Sequence, residues 1–358
     1  MALLGSDPVV SDVAAPSIPR PIVRIGSRQS VLAKLQARMV QERLSELFPT
    51  HDFQISTRVV TVAGDRDKVR SLRSLVSGDT SAKATNIWTT ELEDALISGE
   101  FDLLVHSLKD CPTSVRDGCE IIPVLERENN TDCLVMKKGS QYKSLAELPE
   151  GSLIGTGSVR RIAQLRKRYP GLRYQDLRGN IDGRLAKLDD PEGAYAAAIL
   201  ASAGLIRLNH QARITAFLQP PDVYPAVGQG NLGAEVLTSN TTIRDMVHAL
   251  EVPASGWACR AERALLRVLE GGCAVPVGVW STTSQGVDGK ELVLTLQSVL
   301  TSPDGQREVN IEESAVLKSP EDAEELGTRA AVRIAAGGGK EIMDDLRAEI
   351  ERAKTTQS

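Results

Sequence analysis

Short apolar strands that stop at a glycine and run into amphipathic helices recur along this chain, and that cadence restricts the fold to sheets covered by helices. Residues 22–26 (Ile-Val-Arg-Ile-Gly) read as a strand ending at glycine. From Ser30 to Phe48, apolar residues fall at Val31, Leu32, Leu35, Met39, Val40, Leu44 and Leu47, a helical spacing that Pro49 closes. A β-branched strand over Phe53 to Val62, a helix over about Thr89 to Ser98 and a buried strand over Asp102 to His106 follow. The pattern then restarts with strand 152–156, helix 159–169, strand 172–177, helix 180–188 and strand 195–201. After Pro253 the spacing predicts a helix over about 257–270, strands near 275–282 and 290–300, and a C-terminal helical region, with Gly337-Gly338-Gly339 as a loop before the last helix. A chain of 358 residues has room for two or three such units.

Composition excludes several classes. The formal net charge of −5 is the reverse of what a general nucleic-acid binder shows, and no apolar run reaches the length of a membrane span. Five cysteines lack zinc-ligand or redox spacing, which fits a reducing compartment without a disulfide framework. Four histidines at scattered positions argue against a metal site, and neither a GxxxxGK[ST] loop nor a GxGxxG turn is present for a nucleotide. Residues 1–21 hold Asp7, Asp12, several prolines and Arg20 as their basic residue, so they read as a disordered tail on a cytoplasmic protein. The polar stretch 64–87 reads as a long mobile loop.

The overall acidity conceals a basic stretch. Between Ser158 and Lys187 stand nine Lys or Arg residues against two acids, Asp176 and Asp182. Arg166, Lys167 and Arg168 read as a solvated face. Arg160 and Arg161 differ, because Gly155-Thr156-Gly157-Ser158 ends a strand and opens their helix. Free N–H groups and the helix dipole favour an anion there, whereas two cations in the first turn oppose the dipole unless an anion is bound. Arg178-Gly179-Asn180 repeats the arrangement, with Arg184 one turn further on, and Gly26-Ser27-Arg28-Gln29-Ser30 supplies a similar strand end from the first unit. Ligands of open α/β sheets bind outside the carboxyl ends of strands. The arginines therefore predict a cleft for a ligand carrying several carboxylates or phosphates.

Two further segments carry candidate chemistry. Asp110, in Val105-His106-Ser107-Leu108-Lys109-Asp110-Cys111-Pro112-Thr113, follows a buried strand and is either a surface partner of Lys109 or a cleft carboxylate that handles a proton. Cys273, in Glu270-Gly271-Gly272-Cys273-Ala274-Val275-Pro276, is either a small buried apolar residue or a thiol presented for nucleophilic attack or covalent attachment.

Taken together, Arg24-Ile-Gly-Ser-Arg28-Gln-Ser30, the segment from Val105 to Thr113, Gly155-Thr-Gly-Ser-Val-Arg160-Arg161, Leu177-Arg-Gly-Asn180, Ala198 to Leu205, Gly228-Gln-Gly230 and Gly271-Gly-Cys273 resemble the porphobilinogen deaminase (hydroxymethylbilane synthase) family over about residues 22 to 350. The resemblance implies an enzyme that condenses four porphobilinogen molecules into a linear tetrapyrrole with release of ammonia. It implies a dipyrromethane cofactor, bound through a thioether to Cys273. It implies Asp110 as the catalytic aspartate with Lys109 beside it, and Arg28, Ser30, Lys109, Thr156, Ser158, Arg160, Arg161, Arg178, Gly179 and Arg184 as residues that hold cofactor and growing chain. Its architecture is α/β in three domains: two periplasmic-binding-protein-like α/β lobes with a crossing chain, plus a smaller C-terminal α+β domain. On this chain that gives 22–127 with 226–250, then 128–225, then 251–358. The expected partners are porphobilinogen and the growing oligopyrrole, with no nucleic acid, no membrane and a monomeric state. Two departures stand out: Thr90 occupies a position where many members carry lysine, with Lys83 a candidate substitute, and Arg127-Glu-Asn-Asn-Thr-Asp132 lacks the common proline and basic residue. A two-lobed polycarboxylate-binding protein without chemistry, or another acid–base enzyme lacking a covalent primer, are the alternatives; modification of Cys273 separates them from the deaminase.

Overall fold

The computed structural model describes residues 19–58, 91–269, 275–286 and 291–355. Cys273, Lys83, Thr90, the 64–87 loop, residues 59–62 of the expected second strand and most of the N-terminal tail lie outside the described residues. The described fold is mixed α/β, built on two five-stranded sheets and a smaller three-stranded one.

In the first sheet, β1 (Ile22–Arg28) lies between β2 (Asp52–Arg58) and β3 (Leu103–Ser107), parallel to both. Helix α1 (Val31–Leu47) starts where the Ser30 hydroxyl accepts a hydrogen bond from the Ala33 N–H at 3.2 Å. It buries Ala33, Ala37, Val40 and Leu44, a stripe at helical spacing, against Val23, Ile25, Phe53 and Val105 of the sheet. Residues 91–97 form α2, whose Leu92, Ala95 and Leu96 pack under Leu104 and Phe101 on the other face.

The chain leaves this sheet after β4 (Cys119–Val124) and builds the second one from β5 (Asp132–Met136), β6 (Leu153–Gly155), β7 (Arg173–Gln175), β8 (Tyr195–Ala201) and β9 (Ala216–Leu218), in the order β7-β6-β8-β5-β9. Helices α3 (Val159–Arg168) and α4 (Ile181–Asp189) follow β6 and β7. Their caps are local: the Ser158 hydroxyl accepts from Arg161 N–H at 3.4 Å, and the Asn180 side chain from Gly183 N–H at 2.8 Å. A short α5 (Ser202–Arg207) follows β8. The chain then returns to the first sheet as β10 (Leu232–Leu237), inserted antiparallel between β3 and β4. Helix α6 (Thr241–His248) covers that strand with Ile243, Met246 and Val247.

Helix α7 (Pro253–Val268), opened by proline at its first position, leads into the antiparallel meander β11 (Val277–Gln285), β12 (Leu292–Thr301) and β13 (Glu308–Leu317). Here the structure corrects the sequence reading: residues 308–317 form a third strand, not part of a helical tail. The strand alternates half-buried and exposed residues at the sheet edge, so its apolar signal is weak. Helices α8 (Pro320–Ile334) and α9 (Lys340–Thr355) complete the unit, and Ala330, Ala331 and Ile334 close its core with Leu294, Leu296 and Leu300. A reciprocal capping box between Ser319 and Asp322 starts α8. The three glycines mark the break before α9, as expected: the backbone leaves the helical conformation at Gly338 (φ +102°) and kinks there between the two helices.

Candidate functional site

The turns that follow β3 and β6, one in each large sheet, carry the residues singled out in the sequence. In the first sheet β3 runs into a single 3₁₀ turn, Leu108–Asp110, whose Leu108 is buried while Asp110 is exposed. Parallel pairing of β1 with β3 puts Arg28, half-buried at the end of β1, on the same edge of the sheet. Ser30 lies just beyond, capping α1. The Lys109 ammonium donates to Gln229 Oε1 at 3.2 Å, and Gln229 Nε2 donates to Asp132 Oδ1 at 2.9 Å, a bridge from the first sheet's turn to the second sheet's first strand.

Asp132 organises the second half of the site. Fully buried at the start of β5, it lies 2.8 Å from Arg160 Nη2 and 2.6 Å from Arg161 Nη2. Arg161 also donates to Ile199 O at 2.8 Å, and Arg160 to Tyr224 O. Burial pushes the Asp132 carboxyl upward, but the two guanidiniums outweigh it and hold the group well below the usual carboxylate range. Buried Thr156 accepts a 3.3 Å hydrogen bond from the Ser158 N–H, shaping the turn that aims both arginines inward. One turn away, Gly179 (φ +116°) swings the chain into α4, and its carbonyl accepts from Arg184 Nε at 2.7 Å. Arg178 is exposed, with its Nε 2.8 Å from Asp176 Oδ2.

The cluster is short of negative charge. Lys109 is drawn down to about 8, first by burial and then by Arg161 and Arg160, against the opposing pull of Asp110 and Asp132. Arg184 is likewise lowered by burial and by Arg161 and Arg178, against Asp110 and Asp176. Arg160 is lowered by burial despite its pairing with Asp132. Buried cations lowered in this way form a site that bound carboxylates would relieve. That donor set fits a ligand carrying several carboxylates. The structure thus places Asp110 and Arg161 within electrostatic reach of both Lys109 and Arg184, with Arg160 near Lys109 and Arg178 near Arg184.

Three acids or amides of the cluster escaped the sequence reading. Asp132 ended the segment noted as a departure, Gln229 sat in Gly228-Gln229-Gly230, and Asp176 was counted simply as an acid. Their signal is spatial, since Asp132 meets arginines that lie a whole α/β turn further along the chain. The reading of Arg166 to Arg168 as a solvated face holds for Arg166 and Lys167, which are exposed, and is corrected for half-buried Arg168. Arg166 Nη1 donates to Pro303 O at 2.8 Å, and Arg168 Nη1 reaches Glu308 Oε2 at 3.2 Å, so the far end of α3 is fastened to the C-terminal unit. Among the described residues no group of His, Cys, Asp and Glu is arranged to hold a metal ion, and no helix is long and apolar enough to cross a membrane.

A family model described as porphobilinogen deaminase, dipyromethane cofactor binding domain, matches residues 23–245, and one described as porphobilinogen deaminase, C-terminal domain, matches residues 257–336. The chain is similar to the porphobilinogen deaminase of Yarrowia lipolytica, 41% identical over 334 residues that span 92% of this chain and 94% of the relative. It is similar to that of Saccharomyces cerevisiae at 40% identity over 329 residues, spanning 90% and 97% of the two chains. Among solved structures it matches the periplasmic VFT2 domain of Bordetella pertussis BvgS with a TM-score of 0.37 and 14% identity, over 63% of this chain and 85% of that one.

Proposed function

This chain belongs to the porphobilinogen deaminase family, and on that premise we propose how its cleft serves the reaction. The enzyme condenses four porphobilinogen molecules into the linear tetrapyrrole hydroxymethylbilane, releasing ammonia, in tetrapyrrole and haem biosynthesis, and its cofactor is dipyrromethane. When bound, that cofactor supplies the pyrrole terminus from which the chain is extended. Cys273 is the proposed attachment point; it is outside the described residues.

Asp110 is the proposed catalytic residue. As the protonated aminomethyl group of porphobilinogen departs as ammonia with the C–N electron pair, positive charge develops on the pyrrole, and a carboxylate held beside it stabilises that charge. Its exposure at the carboxyl edge of β3 leaves it open to substrate, while Leu108 anchors the turn beneath it. Lys109, Arg178 and Arg184 are assigned to substrate and chain carboxylates. Arg160 and Arg161, tied to Asp132 and to the Tyr224 and Ile199 carbonyls, are assigned to an anion at the head of α3. Arg28, Ser30, Thr156, Ser158 and Gly179 complete the binding surface. The observation that carries this reading is the bridge Lys109–Gln229–Asp132, which joins the turn of exposed Asp110 to the arginines at the head of α3.

In the same reading, residues 22–127 with 226–250, residues 128–225 and residues 251–358 form the three domains. Support comes from the chain quitting the first sheet after Val124 and re-entering it at Leu232. The enzyme works as a monomer in the cytoplasm with neither nucleic acid nor membrane as partner, in keeping with its net charge of −5.

The test is the intact mass of the denatured protein beside Cys273→Ala. An excess on the wild type equal to two porphobilinogens less two ammonias, missing from the variant, is expected. A wild type that stays unmodified even after incubation with porphobilinogen would refute the covalent primer and leave a polycarboxylate-binding protein.

A further inference from the structure

Asp176 is an acid that the chemistry above does not use, yet it stands among the cleft cations. It follows β7 directly, and its backbone carbonyl accepts a hydrogen bond from Tyr195 Oη at 2.6 Å, which fixes where the side chain begins. Oδ2 lies 2.8 Å from Arg178 Nε, close as an ion pair. Even so, both carboxylate oxygens are shut off from solvent without a well-aligned hydrogen bond. Oδ1 presses on the turn that opens α3: a Cβ at Gly157 would stand 2.5 Å from it, so the absence of a side chain there makes room for the carboxylate. Burial raises the carboxyl above its ordinary range, against the pull of Arg178 and Arg184. A shielded carboxylate with imperfect partners is a costly arrangement for a purely structural ion pair. Arg178, by contrast, keeps about half of its side chain in solvent, where an arriving anion can reach it.

Resting on the deaminase reading, we propose that Asp176 is a positioning residue acting through Arg178: a built-in competitor that loosens the hold on each pyrrole carboxylate, so the growing chain can move on after every condensation. Repeated extension at one cleft needs each carboxylate to be bound and then released from the same guanidinium. An arginine with no internal partner would hold every stage of the chain equally well. Such uniform binding lowers KM without raising kcat. With Asp176 in place, Arg178 has somewhere to return when a pyrrole leaves.

The experiment compares wild type with Asp176→Asn, which keeps the shape and removes the charge, using porphobilinogen as the probe. KM is expected to fall about two- to fivefold, the range of a solvent-accessible ion pair. A lower kcat and a larger share of partly elongated enzyme in the intact mass spectrum should accompany it. Asp176→Ser gives the same readouts should the asparagine variant fold poorly. On an Arg178→Gln background, Asp176→Asn is expected to lower KM less than it does in the wild type. An unchanged or higher KM in the single variants, or an equal effect with Arg178 already removed, overturns the role of Asp176. A wild type that consumes no porphobilinogen overturns the enzymatic reading itself, so the two failures are told apart.

Discussion

Asp110 and Lys109 are neighbours in sequence with opposite demands. Asp110 must meet substrate, and its exposure on a turn anchored by Leu108 allows that. Asp110→Asn keeps the size of the side chain and removes the carboxylate that would steady the developing cation. Turnover of porphobilinogen is expected to drop by about 10²- to 10⁴-fold with little change in thermal stability. Near wild-type turnover would remove Asp110 from the chemistry. Lys109 titrates at about 8, below the ordinary lysine value of 10.5, because burial and then Arg161 and Arg160 disfavour its charge. The unfolded chain therefore holds more protons than the native one between these two values. Stability contributed by this group rises as pH climbs from about 8 toward 10.5, and the cost of the buried ammonium is fully present below about 8. Binding runs the other way, since a neutral amine no longer attracts a carboxylate. KM for porphobilinogen should climb as pH passes about 8, and Lys109→Gln should show a raised KM without that limb. A wild-type KM that is flat from pH 7 to 9 would rule the ammonium out as a carboxylate holder.

At the scale of elements, the cleft depends on α3 being fixed at both ends. Its first turn is pinned by Asp132 through Arg160 and Arg161, and its last turn by Pro303 and Glu308 of the C-terminal unit. Removing the Asp132 charge leaves two buried guanidiniums without their counter-ion. Asp132→Asn is expected to cost about 3–5 kcal/mol, the usual penalty for breaking a buried pair from one side. Denaturant unfolding monitored alongside wild type would show it as a lower midpoint, and an unchanged midpoint would mean the arginines find another partner. The strand–turn–helix starts of this region were legible because their signals are local: Gly155 and Gly179 before the turns, Ser158 and Asn180 at the caps. The anchoring of α3 was not. Arg166 to Arg168 look like any solvated basic run, and Arg166 and Lys167 are indeed exposed, yet Pro303 and Glu308 far along the chain accept hydrogen bonds from Arg166 and Arg168. The edge strand β13 was missed for a related reason, as its alternation is half-polar and its partner, not its composition, makes it a strand.

Across the whole molecule, one residue gathers the segments that run between the sheets. Arg127, on the passage from β4 to β5, donates through Nε to Gln229 O at 2.8 Å on the return passage. Its two terminal nitrogens grip Glu262 of α7 at 2.6 and 3.0 Å, and Nη1 also reaches Ser281 Oγ of β11 at 3.2 Å. Glu262 accepts the Gly228 N–H at 2.7 Å as well, so the same carboxylate binds both passages to the C-terminal unit. In the sequence Arg127 was only the first residue of an atypical segment, because its partners are more than a hundred residues away. A fully satisfied buried fork of this kind orders several segments at once, and losing one side strands the other. Arg127→Gln is too short and too neutral to hold Glu262, which is fully buried. The variant is expected to lose about 3–5 kcal/mol and several degrees of Tm. Because the loss is distributed over all three sheets, unfolding should begin earlier for each of them, not for one alone. Hydrogen exchange would read this as faster exchange in β5, β10 and β11 together. A drop in protection confined to one strand would show that the three sheets hold together by other means and that Arg127 serves a single seam.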